Sequence, residues 1–408
     1  MTLPLPDREA PREDRPLASG NRYPAPLRVC LITETYFPQV NGVSRTLDHL
    51  VRFLTGQGHE VHVVAPRYQE GTSLPVGARL TAFPAFPLPF YPEILACPVR
   101  APQLARVLDA FGPHVVHLAT EGPLGLAGLR ASRARRLPVV SSFHTHFPRY
   151  LAFYRLGGLA PAAWRYLSWF HNRTAATLCP TASVREDLER RGFRNVAVWS
   201  RGVDADLFRP DRRDPSLRRL WGVGTEDTVL AYAGRLAAEK NLPLLLEAFR
   251  LLPPDLSCRL VLIGDGPLRA KLEGAPEVRQ GRVILTGYRR GEDLARAYAS
   301  ADIFVFPSVT DTFGNVLLEA MASGLPAVAF RVSGPGDVVR DGQTGCLAPE
   351  TTAPCLAAAV ADLAAAPLRR RVMGKGARLW AESQTLEAVN ATVVEAYRRA
   401  LWAPPAAA

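Results

Sequence analysis

With 408 residues, the chain is longer than one ordinary hydrophobic core organises, so two or three domains are expected. Hydrophobic residues make up 48% and charged residues 21%, the composition of a soluble globular protein. The formal net charge of +11 admits nucleic acid, a membrane surface or a phosphorylated substrate as an anionic partner, and does not choose among them.

Residues 1–26 are rich in proline and charge and lack periodicity, which predicts a disordered tail. They also lack the apolar core of a signal peptide. At Arg28 the pattern changes. RVCLIT reads as a strand, ETYFPQVNGV as a loop, and SRTLDHLVRFLTGQG as a helix with Leu47, Leu50, Val51 and Leu54 on one apolar face. Gly56 and Gly58 end that helix, and VHVVAP opens the next strand, which makes a βαβ unit. The most apolar long stretch, residues 81–99, holds five prolines and a glutamate and cannot be a spanning helix. Further strands are expected at 115–118, 139–144, 177–181 and 196–200.

Residues 144–173 interleave Tyr150, Phe153, Tyr154, Trp164, Tyr166, Trp169 and Phe170 with arginines, and Arg130, Arg133, Arg135 and Arg136 precede them. Such a stretch suits either a membrane interface or a helix pair with an aromatic core stripe. After SRGVDADLFRPDRRD (200–214) a second alternating series begins near Thr228, with VLAYAGR, LVLIGDG, VILTG, IFVFPS and PAVAF as its strands. Apolar strands alternating with helices imply parallel sheets covered on both faces, hence two doubly wound α/β domains joined by a hinge. The cleft at the carboxyl ends of the strands is the expected ligand site. The six cysteines include no CxxC pair and no histidine cluster at zinc spacing, the pattern of reduced thiols in a cytosolic protein.

Three places carry chemistry. Gly42 lies between the first strand and first helix, where a backbone can approach a phosphate at the helix N-terminus; the G-x-G-x-x-G of a dinucleotide site is absent. Arg235 and Lys240 flank the loop after the first strand of the second series and suit a diphosphate. Asp311 and Glu319 stand eight positions apart in TDTFGNVLLEAMASG, the first in a loop and the second in the helix that starts at Gly314–Asn315. The carboxylates can hold sugar and ribose hydroxyls, and the amides of Phe313, Gly314, Asn315 and Val316 can hold phosphate oxygens. Asp204 and Asp206 form a D-x-D in the hinge, where a metal role is not expected.

NGVSRTL, FHTHFP, GRLAAEKN, GDGPLR, LTGY and DTFGNVLLEAMASGLP, in this order, resemble family 4 of the retaining glycosyltransferases. The likeness runs from about Arg28 to about Arg399. It implies the GT-B fold: two Rossmann-like domains facing across a cleft. Residues 27–203 would form the acceptor domain and 204–385 the nucleotide-sugar domain, with a helix at 386–402 packing back on the first. The family carries an E-x7-E motif here. Asp311 replaces its first Glu, as in members close to GDP-mannose-dependent α-mannosyltransferases.

By the same resemblance, Asp311 contacts the donor sugar, Glu319 the ribose, and Arg235 and Lys240 the diphosphate, with Gly42 closing on it. His144 faces the reaction centre. Tyr288 and Arg289 line the base pocket, and Gly264–Gly266 pass beneath it. The implied activity is hexosyl transfer with retention, from GDP-mannose to a lipid or glycolipid. No cofactor, metal or nucleic-acid partner is expected, and a peripheral contact with the anionic inner face of the plasma membrane is. The alternatives are a UDP-sugar-dependent glucosyl- or sulfoquinovosyl-type lipid transferase, and a GT-B sugar-nucleotide epimerase.

Overall fold

The computed structural model describes residues 26–402 apart from 40, 89–90, 149–156 and 225–226. The tail expected at 1–26, Pro26 excepted, therefore lies outside the described residues. So do several aromatic and basic residues of the 144–173 stretch: Arg149, Tyr150, Phe153, Tyr154 and Arg155.

The first sheet contains β1 (Arg28–Ile32), β2 (Glu60–Pro66), β3 (Ala78–Phe83), β6 (Val115–Leu118), β7 (Val139–Ser142), β8 (Ala176–Cys179) and β9 (Val196–Val198). A separate antiparallel hairpin, β4 (Phe86–Leu88) and β5 (Tyr91–Ala96), follows β3. Strand order in the sheet is β3-β2-β1-β6-β7-β8-β9, parallel throughout. The second sheet has β10 (Thr228–Ala233), β11 (Cys258–Ile263), β12 (Val283–Gly287), β13 (Ile303–Phe306), β14 (Ala327–Phe330) and β15 (Gly345–Ala348), in the order β12-β11-β10-β13-β14-β15 and also parallel. β6, β7, β10, β13 and β14 are buried at every position, as strands covered on both faces must be. Strand order reverses between β1 and β6 and between β10 and β13. A crevice opens at each reversal, and both crevices face the same cleft.

The apolar stretch at 81–99 becomes the end of β3 and the β4–β5 hairpin. Its prolines interrupt any helix but are tolerated at edges and turns, which strand alternation alone did not reveal. The first helix is Gly42–Gly56, two residues longer at its start than the apolar period suggests. Asn41 Oδ1 accepts the Ser44 amide at 2.8 Å and Ser44 Oγ accepts the Asn41 amide at 3.0 Å, a reciprocal cap. Leu47, Leu50, Val51 and Leu54 then pack on β1 and β2. The last helix, Leu386–Trp402, follows the second sheet in sequence but lies on the first. Its Val393, Ala396, Tyr397 and Ala400 join the same core as Trp199.

Candidate active site in the interdomain cleft

Four loops from the carboxyl ends of β1, β7, β10 and β13 meet in the cleft. Asn315 Nδ2, in the first turn of helix Asn315–Ala322, donates to the Gly42 carbonyl at 3.3 Å and lies 3.4 Å from Thr46 Oγ1. Thr312 Oγ1 donates to the His144 carbonyl at 2.6 Å. Arg45 Nη1 donates to Glu319 Oε1 at 2.8 Å. Ser183 bonds Ser333 at 2.9 Å and also Asp337. Gly42, His144, Lys240, Asp311 and Glu319, far apart in sequence, are thus assembled on the two walls of one cleft.

Lys240 Nζ donates to both oxygens of Asp311, at 2.7 and 2.8 Å. Both side chains are less than one-fifth exposed, so this pair is held more firmly than a surface ion pair. Sequence reasoning placed Lys240 on a diphosphate and Asp311 on a sugar, and did not anticipate that they orient each other. Arg235 Nη1 donates to Glu239 Oε1 at 3.2 Å, and Glu239 is itself buried, with its carbonyl accepting from Thr310 Oγ1 at 3.1 Å. Both cations are therefore built into the loop that follows β10.

Glu319 is 7% exposed. Its Oε2 accepts from Tyr298 at 3.0 Å while Oε1 takes Arg45. Burial raises its carboxyl above the usual range, against the Arg45 charge and the Tyr298 hydroxyl, which pull it down. Arg45 went unnoticed in the sequence, although it sits inside NGVSRTL. Its position on the Gly42–Gly56 helix, three residues past Gly42, is the signal that could have pointed to the cleft.

Gly314 has φ +87° and an added Cβ would come within 2.9 Å of Phe306, so the turn into the helix needs glycine. Phe313 is buried in the core of the second domain and Val316 packs against that core, so these two positions offer the cleft only their main chain beside the Asn315 side chain. The first amides of a helix have no carbonyl of their own helix to bond and carry the positive end of its dipole. Gly264 has φ +152°, and a Cβ there would sit 1.9 Å from the Gly234 carbonyl oxygen, so the turns after β10 and β11 touch backbone to backbone.

His144, Tyr288 and Arg289 differ in detail from what was expected of them. The His144 ring is committed within its own domain: Nδ1 accepts from Arg201 at 3.0 Å and Nε2 lies 2.8 Å from Ser142 Oγ. Its carbonyl, bonded to Thr312, is the part that meets the opposite wall. Burial and the Arg201 charge hold the imidazole well below its usual range, hence neutral. Tyr288 is 59% exposed, and neither it nor Arg289 lines the cleft cavity. That cavity, about 510 Å³, is bounded by Glu319, Asn315 and Arg45 at one end and takes Arg290, Gly291 and Leu294 from the same loop and helix. Asp204 Oδ1 accepts the amides of Asp206 at 3.1 Å and Leu207 at 2.9 Å, a turn-capping arrangement.

Residues 40–207 match the model of Glycosyltransferase Family 4, and 227–366 match that of Glycosyl transferases group 1. The chain is 36% identical to a GDP-mannose-dependent alpha-mannosyltransferase of Mycobacterium tuberculosis, over 79% of this chain and 84% of the relative. It is 32% identical to a sulfoquinovosyl transferase of Arabidopsis thaliana, over 95% of this chain and 77% of the relative. Among solved structures, sucrose-phosphate synthase from Thermosynechococcus elongatus superposes with a TM-score of 0.77 at 21% identity, covering 93% of this chain and all of that one.

Proposed function

The chain belongs to glycosyltransferase family 4, and from that premise we propose that it moves mannose from GDP-mannose to a lipid or glycolipid, with retention at the anomeric carbon. The observation that carries this is the meeting of Lys240, Asp311 and Glu319 opposite Gly42 and His144. Glu319 takes the ribose hydroxyls, and the cavity it lines takes the nucleoside. Asp311 takes hydroxyls of the donor sugar, held in place by Lys240. The ammonium, Arg235 and the amides of Phe313–Val316 face the diphosphate.

As the bond from the anomeric carbon to phosphate breaks, negative charge grows on the leaving oxygen. These preorganised positive groups lower that barrier most. The acceptor oxygen bonds the same face of the sugar, and its proton passes to the departing phosphate. Domain closure across the Arg45–Glu319 and Thr312–His144 contacts keeps water from the oxocarbenium-like centre. The lipid acceptor is supported by the acceptor-side surface: Tyr166 and Trp169 are exposed and stacked with ring centres 6.0 Å apart, and Arg173 lies 4.4 Å over Trp169. No described helix is long and apolar enough to cross a membrane, so the contact we infer is peripheral, on the inner face of the plasma membrane.

A UDP-sugar-dependent lipid transferase is the second reading, favoured by the sulfoquinovosyl relative that matches 95% of the chain. The test is a panel of radiolabelled GDP- and UDP-sugars with lipid extract, run on the wild type and on Asp311→Ala. Label from GDP-mannose should enter the lipid phase with the wild type alone, while the variant still binds nucleotide by calorimetry. Transfer only from UDP-sugars overturns the donor assignment. Conversion of the donor into its epimeric sugar nucleotide, with no label entering lipid, would indicate the epimerase.

A further inference from the structure

Behind the cleft, buried polar contacts run without a break from the hinge to the last helix. Arg201 donates to His144 Nδ1 at 3.0 Å, and His144 Nε2 lies 2.8 Å from Ser142 Oγ. Ser142 Oγ lies 2.9 Å from His117 Nε2, and His117 Nδ1 lies 2.7 Å from the Tyr397 hydroxyl. A guanidinium can only donate, so Nδ1 of His144 is the acceptor and its proton sits on Nε2, directed at Ser142. His117 then bridges the two hydroxyls. His117, Ser142 and Tyr397 are fully buried, so no water can replace a lost partner.

The string has a front and a back. At the front, the His144 carbonyl receives Thr312, the neighbour of Asp311. At the back, Tyr397 belongs to helix Leu386–Trp402, which comes after the second domain in sequence yet docks on the first. We propose that Tyr397, His117 and Ser142 are positioning residues, through which the docked C-terminal helix seats His144 and, through its carbonyl, the Thr312–Asp311 loop. The inference rests on that loop being the donor site. It adds a requirement that the cleft residues alone do not state: the last helix must be in place for the loop to be set for catalysis.

Tyr397→Phe keeps the packing and removes one hydroxyl. It should lower kcat about tenfold with donor KM within about twofold, and should cause no further loss in a Thr312→Val background. A wild-type kcat in Tyr397→Phe, or losses that multiply in the double variant, overturns the relay. A second readout needs no donor: the His144 Nε2–H resonance in 15N-histidine-labelled protein. It should shift and exchange faster in Ser142→Ala, and should also shift in Tyr397→Phe, three hydrogen bonds away. An unchanged resonance in either variant overturns the relay. A wild type that transfers from no nucleotide sugar counts instead against the proposed function, and leaves the resonance test standing.

Discussion

Glu34 and Glu319 are both buried carboxylates, held in different ways. Glu319 meets a cation and a hydroxyl, whereas Glu34 Oε1 takes the amide of Leu124, at the start of helix Pro123–Ala134, at 2.7 Å. Burial wins over that amide and the Thr120 hydroxyl and pushes Glu34 up to about 7. A folded value above the unfolded one means stability that is complete below the unfolded value and is lost as pH rises through about 7. The loss amounts to about 3 kcal/mol at most. Glu34→Gln keeps the acceptor and removes the ionisation. Its melting temperature should match the wild type near pH 4 and exceed it by several degrees at pH 8, read by thermal melts across that range. Equal melting curves at both pH values would show that Glu34 keeps an ordinary pKa. Asp311 and Lys240 show the other use of charge at this scale, a bidentate pair that fixes the Asp311 carboxylate in the cleft.

At the scale of elements, the second domain depends on how closely the turns after β10 and β11 approach. Gly264 forms a bridge to Gly287 on one side and faces the Gly234 backbone on the other. A methyl at Gly264 would lie 1.9 Å from the Gly234 oxygen, so one of the two loops must move, and the Arg235–Lys240 loop with it. Gly281 is the control: its φ is +69° but nothing lies within 4 Å of an added Cβ. Gly264→Ala should cost at least about 3 kcal/mol in urea unfolding, and Gly281→Ala about 1 kcal/mol. Comparable losses would mean that backbone conformation, and not the close approach, makes Gly264 necessary.

At the scale of the whole molecule, the net charge of +11 has a place to act. Arg130 and Arg136 are exposed, Arg133 half-buried, and all three lie on or just after helix Pro123–Ala134 of the first domain. Tyr166 of the neighbouring helix Ala160–His171 donates to the Glu121 carbonyl at 2.5 Å, which ties that helix to the start of the basic one. Each cation near an anionic surface is worth about 1 kcal/mol, and the attraction fades within a Debye length of about 10 Å at 0.1 M salt. Removing all three arginines should therefore weaken binding to anionic liposomes by about a hundredfold at low salt and little at high salt. Unchanged co-sedimentation at low salt would remove this surface from the proposed membrane contact.

What the sequence determined by itself was whatever repeats along the chain. Apolar runs between helical periods predicted two parallel sheets, because strands buried on both faces have no polar side to show. The positions of Gly314 and Asp311 were legible because a strand-loop-helix turn is local. Tertiary structure decided the pairings. Lys240 meets Asp311 across 71 positions, Arg45 meets Glu319 across 274, and His117 meets Tyr397 across 280. Side-chain spacing along the chain carries no distance between elements. Only the packing of the two sheets and the return of the last helix bring these groups within hydrogen-bond reach. The 81–99 hairpin and the commitment of the His144 ring were hidden for the same reason: what a proline-rich segment pairs with, and what a histidine's two nitrogens bond, are properties of neighbours that the local sequence does not contain.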